Sequence, residues 1–581
     1  MSNSLADTVD NQSIDKQMIS NMSRDKNKSL NQDSNNSQDT SQEDQVQQGG
    51  AGDGTKEEDQ YLEGMKLVAC VFSVLVCLFL IGLDQTIVIT LLSTVGNKFN
   101  ALDKIGWLSS GYLLTVCVFA PFWGMFSISF GRKLTMIISV VLFEVGSLIC
   151  ALSVNMEMLI FGRALSGVGG GGIQSLTFII ISEVVPLHKR PLTMAFVGVT
   201  YAISSVLGPI IGGAFTTKVS WRWSFYVNLP IGGLALAIFF FSFNPPKVKG
   251  SIKQKLAKID FLGTILIVGG LILILLALTF GASYQYKWKS GIVISFFIVG
   301  AILIAGFIVW NFKYSKYPLI LPSAVKILQV NAGAISIFFM YAYFIALTLY
   351  LSIYFQIVKD KSALQSGISE FPIIISIVVS SILSGVLIKK TNNVKTMYII
   401  SGILGPIGLG LFTLYDIDTT SGKSIGLQII SGISMGIMLN STIISAQVSA
   451  PKVPGGTILT ITYIVFARCL GGAIGANLSD VVYNSSFINL YRKHLAKEVN
   501  QLIIRELGQV SPYQMLYSTA SIADLSLESQ LFIKTLFNQS IRNVYYMCII
   551  FSGISMIACF FTTNKPIPDA EEEVSLNKED V

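Results

Sequence analysis

The chain has 581 residues; 52% are hydrophobic, 13% are charged, and the net charge is +7. A soluble protein carries about 25% charged residues, so this balance excludes an ordinary soluble domain and implies a chain that crosses a membrane many times. The positive excess is spread over loops and does not form a nucleic-acid footprint.

Residues 1–60 are rich in Ser, Asn, Gln, Asp and Lys. They cannot bury enough surface to offset their ordering entropy and are expected to form a disordered cytosolic tail. They lack the short apolar core of a cleaved signal peptide, so the first crossing helix is expected to act as the uncleaved signal. A helix needs about 20 apolar residues to cross the bilayer core. Fourteen runs meet that need: 65–91, 107–128, 133–152, 157–181, 192–215, 223–243, 260–280, 290–310, 330–356, 369–388, 396–415, 424–448, 458–486 and 542–562. The chain thus reads as an all-α polytopic membrane protein. A first six-helix half spans 61–245. A linker with two extra helices follows at 246–325, then a second six-helix half at 326–563 that carries a long loop at 492–541, and a tail at 564–581. The lysine-rich stretch Lys247 to Lys258 reads as a solvated loop between the first half and the extra pair.

Lys and Arg set the orientation. With the N-terminus in the cytosol, the cytosolic loops hold sixteen basic residues, among them Arg132, Lys133, Lys189, Arg190, Lys389 and Lys390. The short opposite loops hold nine, such as Lys98, Lys218, Lys359 and Lys423. Both tails are then cytosolic, and the 492–541 loop is luminal or extracellular. Trp107, Trp221, Trp223, Trp288 and Trp310 fall at span ends, where an interfacial aromatic belt belongs. Asn484 and Asn538 begin N-x-S/T sequons on the luminal side, so both are glycosylation candidates. All seven cysteines lie in apolar runs and read as small buried residues. His188 and His494 read as solvated loop residues. No phosphate-binding loop, metal cluster or nucleophile–base set is visible, so no enzyme is expected.

The informative residues are ionisable groups at membrane depth. Each costs roughly 2.5–3.5 kcal/mol on insertion scales, which a sequence tolerates where the group has a partner, faces a cavity or does work. Asp84 stands in "LDQTIV" within the first span, and Glu144 in "VLFEVGS" within the third. Arg163 lies early in the fourth span, Arg468 in the thirteenth, and Asp480 near the end of that span. Burial favours the neutral form of a carboxylate and a nearby cation favours the charged one, so a proton and a cationic solute would compete for such a site. The alternative for each is a fixed structural pair. Tyr343, Tyr350 and Tyr354 share one helix face; they either line a cavity and offer cation–π contacts or simply pack.

Several stretches resemble the major facilitator superfamily. "GMFSISFGRKLTM" (Gly124 to Met136) is similar to its signature loop between spans two and three, with Gly124 and Gly131 allowing a tight turn and Arg132 and Lys133 on the cytosolic side. Ile128 replaces the usual acid of that loop, which the family pairs with an arginine in a gate latch. "GRALSGVGGGG" resembles the span-four motif with Arg163 as its buried cation. "GVTYAISSVLGPIIGG" resembles the antiporter span-five motif, with Gly208, Pro209, Gly212 and Gly213 letting helices pack closely and bend. "WRWSFYVNLPIGG", "LDQTIV" and "ARCLGGAIGAN" resemble the fourteen-helix drug:proton antiporter branch, and the wording leans towards fungal vacuolar basic amino-acid transporters. The resemblance implies two six-helix halves around a cavity, with Asp84, Glu144, Arg163 and Arg468 as substrate or proton-coupling residues. It implies a monomeric carrier driven by a proton gradient, without a cofactor, in the vacuolar membrane. Basic amino acids are the first expectation for cargo. A plasma-membrane exporter of drugs or dyes, or a transporter-like nutrient sensor, stands as the alternative.

Overall fold

The computed structural model describes residues 61–564 except 102–103, 247, 249, 283–285, 497, 499–500, 508–514 and 517–524. The expectations for residues 1–60 and 565–581, and for Lys247 and Lys249, fall outside these residues. In lipid every backbone polar group must be satisfied within its own segment. The described residues accordingly form helices and connections with no strand. Fourteen helices are long and apolar enough to cross a membrane. The first half holds α1 (Gly64–Ile87), α2 (Gly106–Phe130), α3 (Arg132–Leu152), α4 (Met156–Val184), α5 (Leu187–Lys218) and α6 (Trp223–Ser242). An extra pair follows, α7 (Phe261–Gly281) and α8 (Gly291–Tyr314). The second half holds α9 (Leu328–Val358), α10 (Phe371–Thr391), α11 (Val394–Phe412), α12 (Ser421–Ser449), α13 (Gly456–Leu495) and α14 (Leu527–Phe560).

Packing follows sequence polarity. α4 and α13 are the least hydrocarbon-like in their positions: 83% of the most apolar stretch of each is buried, against 17% for α8. Glycines and short polar side chains fill α4, whereas α8 turns Ile294, Ile298 and Ile302 outward. Within the first half α4 packs on α2 and α3, and α1 on α5 and α6. In the second half α12 packs on α10 and α11, and α9 on α13 and α14. The halves meet where α2 lies along α13 and α5 along α10. The extra pair leans on both halves within one turn of α7. Phe280 packs edge-on to Trp107 of α2 (5.5 Å between centroids), and the Thr279 hydroxyl donates to Asn477 Oδ1 of α13 at 2.9 Å.

The boundaries of the last two spans need correction. α13 runs to Leu495 and α14 begins at Leu527, so residues 527–541 of the expected 492–541 loop are helical. Thirty-four residues make α14 about 51 Å long, longer than the bilayer core. Its extension is held by aromatic stacking, with Phe537 4.4 Å from Phe487 and 6.2 Å from Tyr483. Ser526 caps the helix by accepting from Ser529 N. The basic linker contains one exposed turn of helix, Ile252–Ala257, started by a Ser251–Gln254 capping box.

Candidate functional site

Asp84 lies in α1 where the helix is buried on the α4 side. Its carboxylate forms an ion pair with Arg163 Nη1, and the two side chains are 0% and 1% exposed. Arg163 Nε donates to Leu108 O at 3.0 Å, and its guanidinium lies 4.2 Å over the Tyr112 ring. Asn228, at the start of α6, places Nδ2 3.4 Å from Asp84 Oδ1 and 3.2 Å from Ser147 Oγ. The charge at 84 is therefore balanced by one cation of α4 and also reached by an amide of α6. Glu144 sits beside this network on α3. Both of its carboxylate oxygens are buried without a hydrogen-bond partner, and it is within electrostatic reach of Asp84. It packs onto Gly232 of α6, where a Cβ would collide with Oε1.

Arg468 occupies a separate place, between the halves. It is 2% exposed. The rings of Phe178 on α4, Tyr201 on α5 and Tyr341 on α9 surround its guanidinium at 5.0, 5.2 and 5.1 Å. Nη2 donates to Tyr201 Oη at 3.1 Å. Gln174 Nε2 also donates to that hydroxyl, and the Cys469 thiol donates to Gln174 Oε1 at 2.8 Å. Arg468 borders a pocket with Tyr201, Gly198, Ser381 and Asn440, so α5, α10, α12 and α13 all contribute walls. The pocket measures about 20 Å³, room for roughly one water. Tyr112 links the two sites, being within electrostatic reach of Asp84 and Arg163 on one side and of Tyr201 and Cys469 on the other.

The α2–α3 turn is built as its glycines suggest. Gly131 has φ +90°, a conformation side chains disfavour, and a Cβ on Gly124 would collide with Thr462 of α13. Arg132 pairs with Glu183 at the end of α4, Nη2 to Oε1 at 2.6 Å and Nε to Oε1 at 2.8 Å. Lys133 Nζ donates to Phe240 O at 2.6 Å and lies 4.4 Å over the Phe240 ring. On α5, Gly208 abuts Thr86 and Gly212 abuts Thr90 and Ile87 of the α1 segment, but Gly213 meets nothing within 4 Å and makes no close approach. The α5 helix continues past Pro209.

Two expectations are corrected. Tyr343, Tyr350 and Tyr354 are buried in the second half and do not line the pocket. Tyr350 donates to Asp480 Oδ1 and Tyr354 to Asp416 O, both at 2.7 Å, and a Cβ on Gly405 of α11 would meet the Tyr343 hydroxyl at 3.6 Å. The tyrosine at the pocket is Tyr201, while Tyr341 stacks on the Arg468 guanidinium. Asn484 and Asn538 are buried within helices, and Asn538 Nδ2 donates to Tyr415 O at 3.3 Å, so neither presents the exposed loop that glycosylation needs. Asp480 is half-buried and accepts the Tyr350 hydroxyl. Glu183 escaped notice because it stands just past the fourth apolar run, and Gln174, Asn228 and Asn440 because uncharged amides in apolar runs signal function more weakly than ions do.

The family model described as "Major Facilitator Superfamily" matches residues 74–476. The chain is 33% identical to vacuolar basic amino acid transporter 5 of Saccharomyces cerevisiae, over 89% of this chain and 94% of that one. It is 37% identical to the MFS-type efflux pump MFS1 of Arthroderma benhamiae, over 74% and 80%. The fold is that of the proton:xylose symporter XylE, with a TM-score of 0.53 and 14% identity over 88% of this chain and 98% of that one. With the fold, the buried charges and these matches together, the chain belongs to the major facilitator superfamily and is a membrane transporter of small molecules, not an enzyme.

Proposed function

We propose that the protein is a proton-coupled antiporter whose cargo is a basic amino acid carried into the vacuole. The observation that carries the coupling is the charge arrangement in the first half. Asp84 is neutralised by Arg163, while Glu144, close by, has neither a cation nor a hydrogen bond among the described residues. A carboxylate left in this way at membrane depth is costly when charged, and a proton removes the cost. Glu144 and Asp84 then share the proton work, with Arg163 setting which of them is charged. A proton gradient suffices as the driving force, and no cofactor is needed. Both tails face the cytosol in this reading, and a single chain is the working unit.

Cargo and membrane are inferred from likeness. The relative named as a vacuolar basic amino acid transporter matches more of both chains than the pump MFS1 does. The second reading, export of drugs or dyes across the plasma membrane, is favoured by the higher identity to that pump. The test uses vacuolar membrane vesicles with and without this protein, acidified with ATP and supplied with labelled lysine, arginine and histidine. Protein-dependent uptake that collapses with a protonophore is the expected result. No such uptake, with the protein present in the vesicles, rejects basic amino acids and moves export to first place.

A further inference from the structure

The pocket between the halves contains one unused donor and one unused acceptor. Arg468 is a buried guanidinium that no carboxylate among the described residues neutralises. Its Nη2 donates to the Tyr201 hydroxyl, and among the described residues its Nε has no hydrogen-bond partner. Asn440 lines the same pocket. Its Nδ2 donates to Pro191 O and Ser381 O, both at 3.2 Å, and to Ser384 Oγ at 3.4 Å, while Oδ1 is buried and unpaired. Three acceptors around Nδ2 fix the amide orientation, so Oδ1 is the free atom. An unpaired buried cation and an unpaired buried carbonyl are each expensive alone.

We propose that this pocket is a zwitterion site, in which Arg468 takes the carboxylate of the cargo and Asn440 Oδ1 takes its ammonium group. The guanidinium edge suits a planar carboxylate. The rings of Tyr201, Tyr341 and Phe178 hold the guanidinium in place and exclude water. Asn440 also ties α12 to α5 and α10 through Pro191 O and Ser381 O, so a ligand on Oδ1 touches the group that joins the halves. Cargo recognised here needs both a carboxylate and an amine. A cationic dye that lacks a carboxylate leaves Arg468 unmatched and adds a like charge to it.

The inference deepens the antiporter reading, which it presupposes only as far as a solute pocket. It is tested by binding, not flux. The purified full-length chain in lipid nanodiscs is titrated with L-arginine and with agmatine, which is arginine without its carboxylate. A second set comprises L-phenylalanine, phenethylamine and 3-phenylpropanoate. The readout is the shift in unfolding temperature against concentration. At least one amino acid is expected to bind about ten- to a hundredfold more tightly than its counterparts lacking either group, the range set by a hydrogen bond to a charged partner. Arg468→Gln is expected to erase the preference for arginine over agmatine, or for phenylalanine over phenethylamine, whichever the parent shows. Amines that bind as tightly as the amino acids, or no binding by either amino acid, overturn the proposal. The ligand pairs on the unaltered chain decide the matter even where Arg468→Gln fails to fold. Phenylalanine binding without arginine keeps the zwitterion site and removes basic cargo. Lysine uptake with no dependence on the carboxylate keeps the antiporter and removes the zwitterion site.

Discussion

Arg132 and Glu183 are joined by a two-pronged ion pair that ties the α2–α3 turn to the end of α4, on the face where Ile128 replaces an acid. Arg132 thus takes its carboxylate partner from another helix of the same half. Glu183→Gln leaves the guanidinium buried beside a neutral group and is expected to cost about 3–5 kcal/mol of stability, read as a lowered unfolding temperature. Because Arg132 already holds a bidentate partner, Ile128→Asp is expected to leave turnover within about twofold of the parent. A larger change in flux would show that position 128 still reaches the latch.

Asp84→Asn is expected to abolish proton-coupled flux while the protein remains in its membrane. Breaking the buried pair costs about 3–5 kcal/mol, and most of that reflects the stranded Arg163 charge. The double variant Asp84→Asn/Arg163→Gln should therefore recover stability without recovering flux. A double-mutant cycle on unfolding, run beside vesicle uptake, checks both halves of this expectation.

Glu370, just before α10 and outside the spans, is 8% exposed, and burial pushes its carboxyl up to about 8, partly offset by a hydrogen bond from Ser352. An acid whose folded value is raised binds more protons when folded. Its stabilising contribution is complete below the unfolded value of 4.5 and is lost as pH rises through about 8. The unfolding temperature should fall across that window. Glu370→Gln should flatten the fall, and an unchanged pH profile in the variant would assign it to other groups. Tyr415 and Tyr545 lie within electrostatic reach of the carboxyl.

The two adjacent glycines of α5 should behave oppositely. A side chain on Gly212 collides with Thr90 and Ile87, whereas Gly213 faces open space. Gly212→Val is expected to destabilise by about 1–3 kcal/mol through overpacking. Gly213→Ala should gain roughly 0.5–1 kcal/mol of helix stability. Equal effects in thermal unfolding would mean that α1 and α5 do not pack as described.

Asn484 and Asn538 should carry no glycan, so endoglycosidase treatment of protein from its native membrane is expected to leave the mobility unchanged. Asn538→Ala should still matter. It removes a buried donor from Tyr415 O and Asp416 Oδ1 at a cost of about 1–3 kcal/mol.

The fourteen spans were legible because about 20 apolar residues in a row admit few other readings. The pairing of Asp84 with Arg163 was half legible: each charge was visible, but their contact joins residues 79 apart in sequence. The helical extension at 527–541 was hidden because its sequence, from Leu527 to Ile541, mixes Glu528 and Lys534 among apolar residues, and only the stacking of Phe537 on Phe487 shows why it stays helical. The pocket was least legible. Tyr201, Ser381 and Asn440 are ordinary in isolation, and what distinguishes them is which helices bring them together. The spacing of Tyr343, Tyr350 and Tyr354 gave a helix face correctly but could not say whether that face looks to the cavity or into its own half.

Thr279 and Phe280 touch opposite halves from neighbouring positions on α7. Rocking that parts α2 from α13 at this level cannot preserve both contacts with a rigid helix: either the Thr279–Asn477 hydrogen bond or the Phe280–Trp107 edge contact must let go. The extra helix pair is thus a fulcrum with one yielding arm. Whichever contact is weaker determines which half it rides with, and hence which half moves through the lipid.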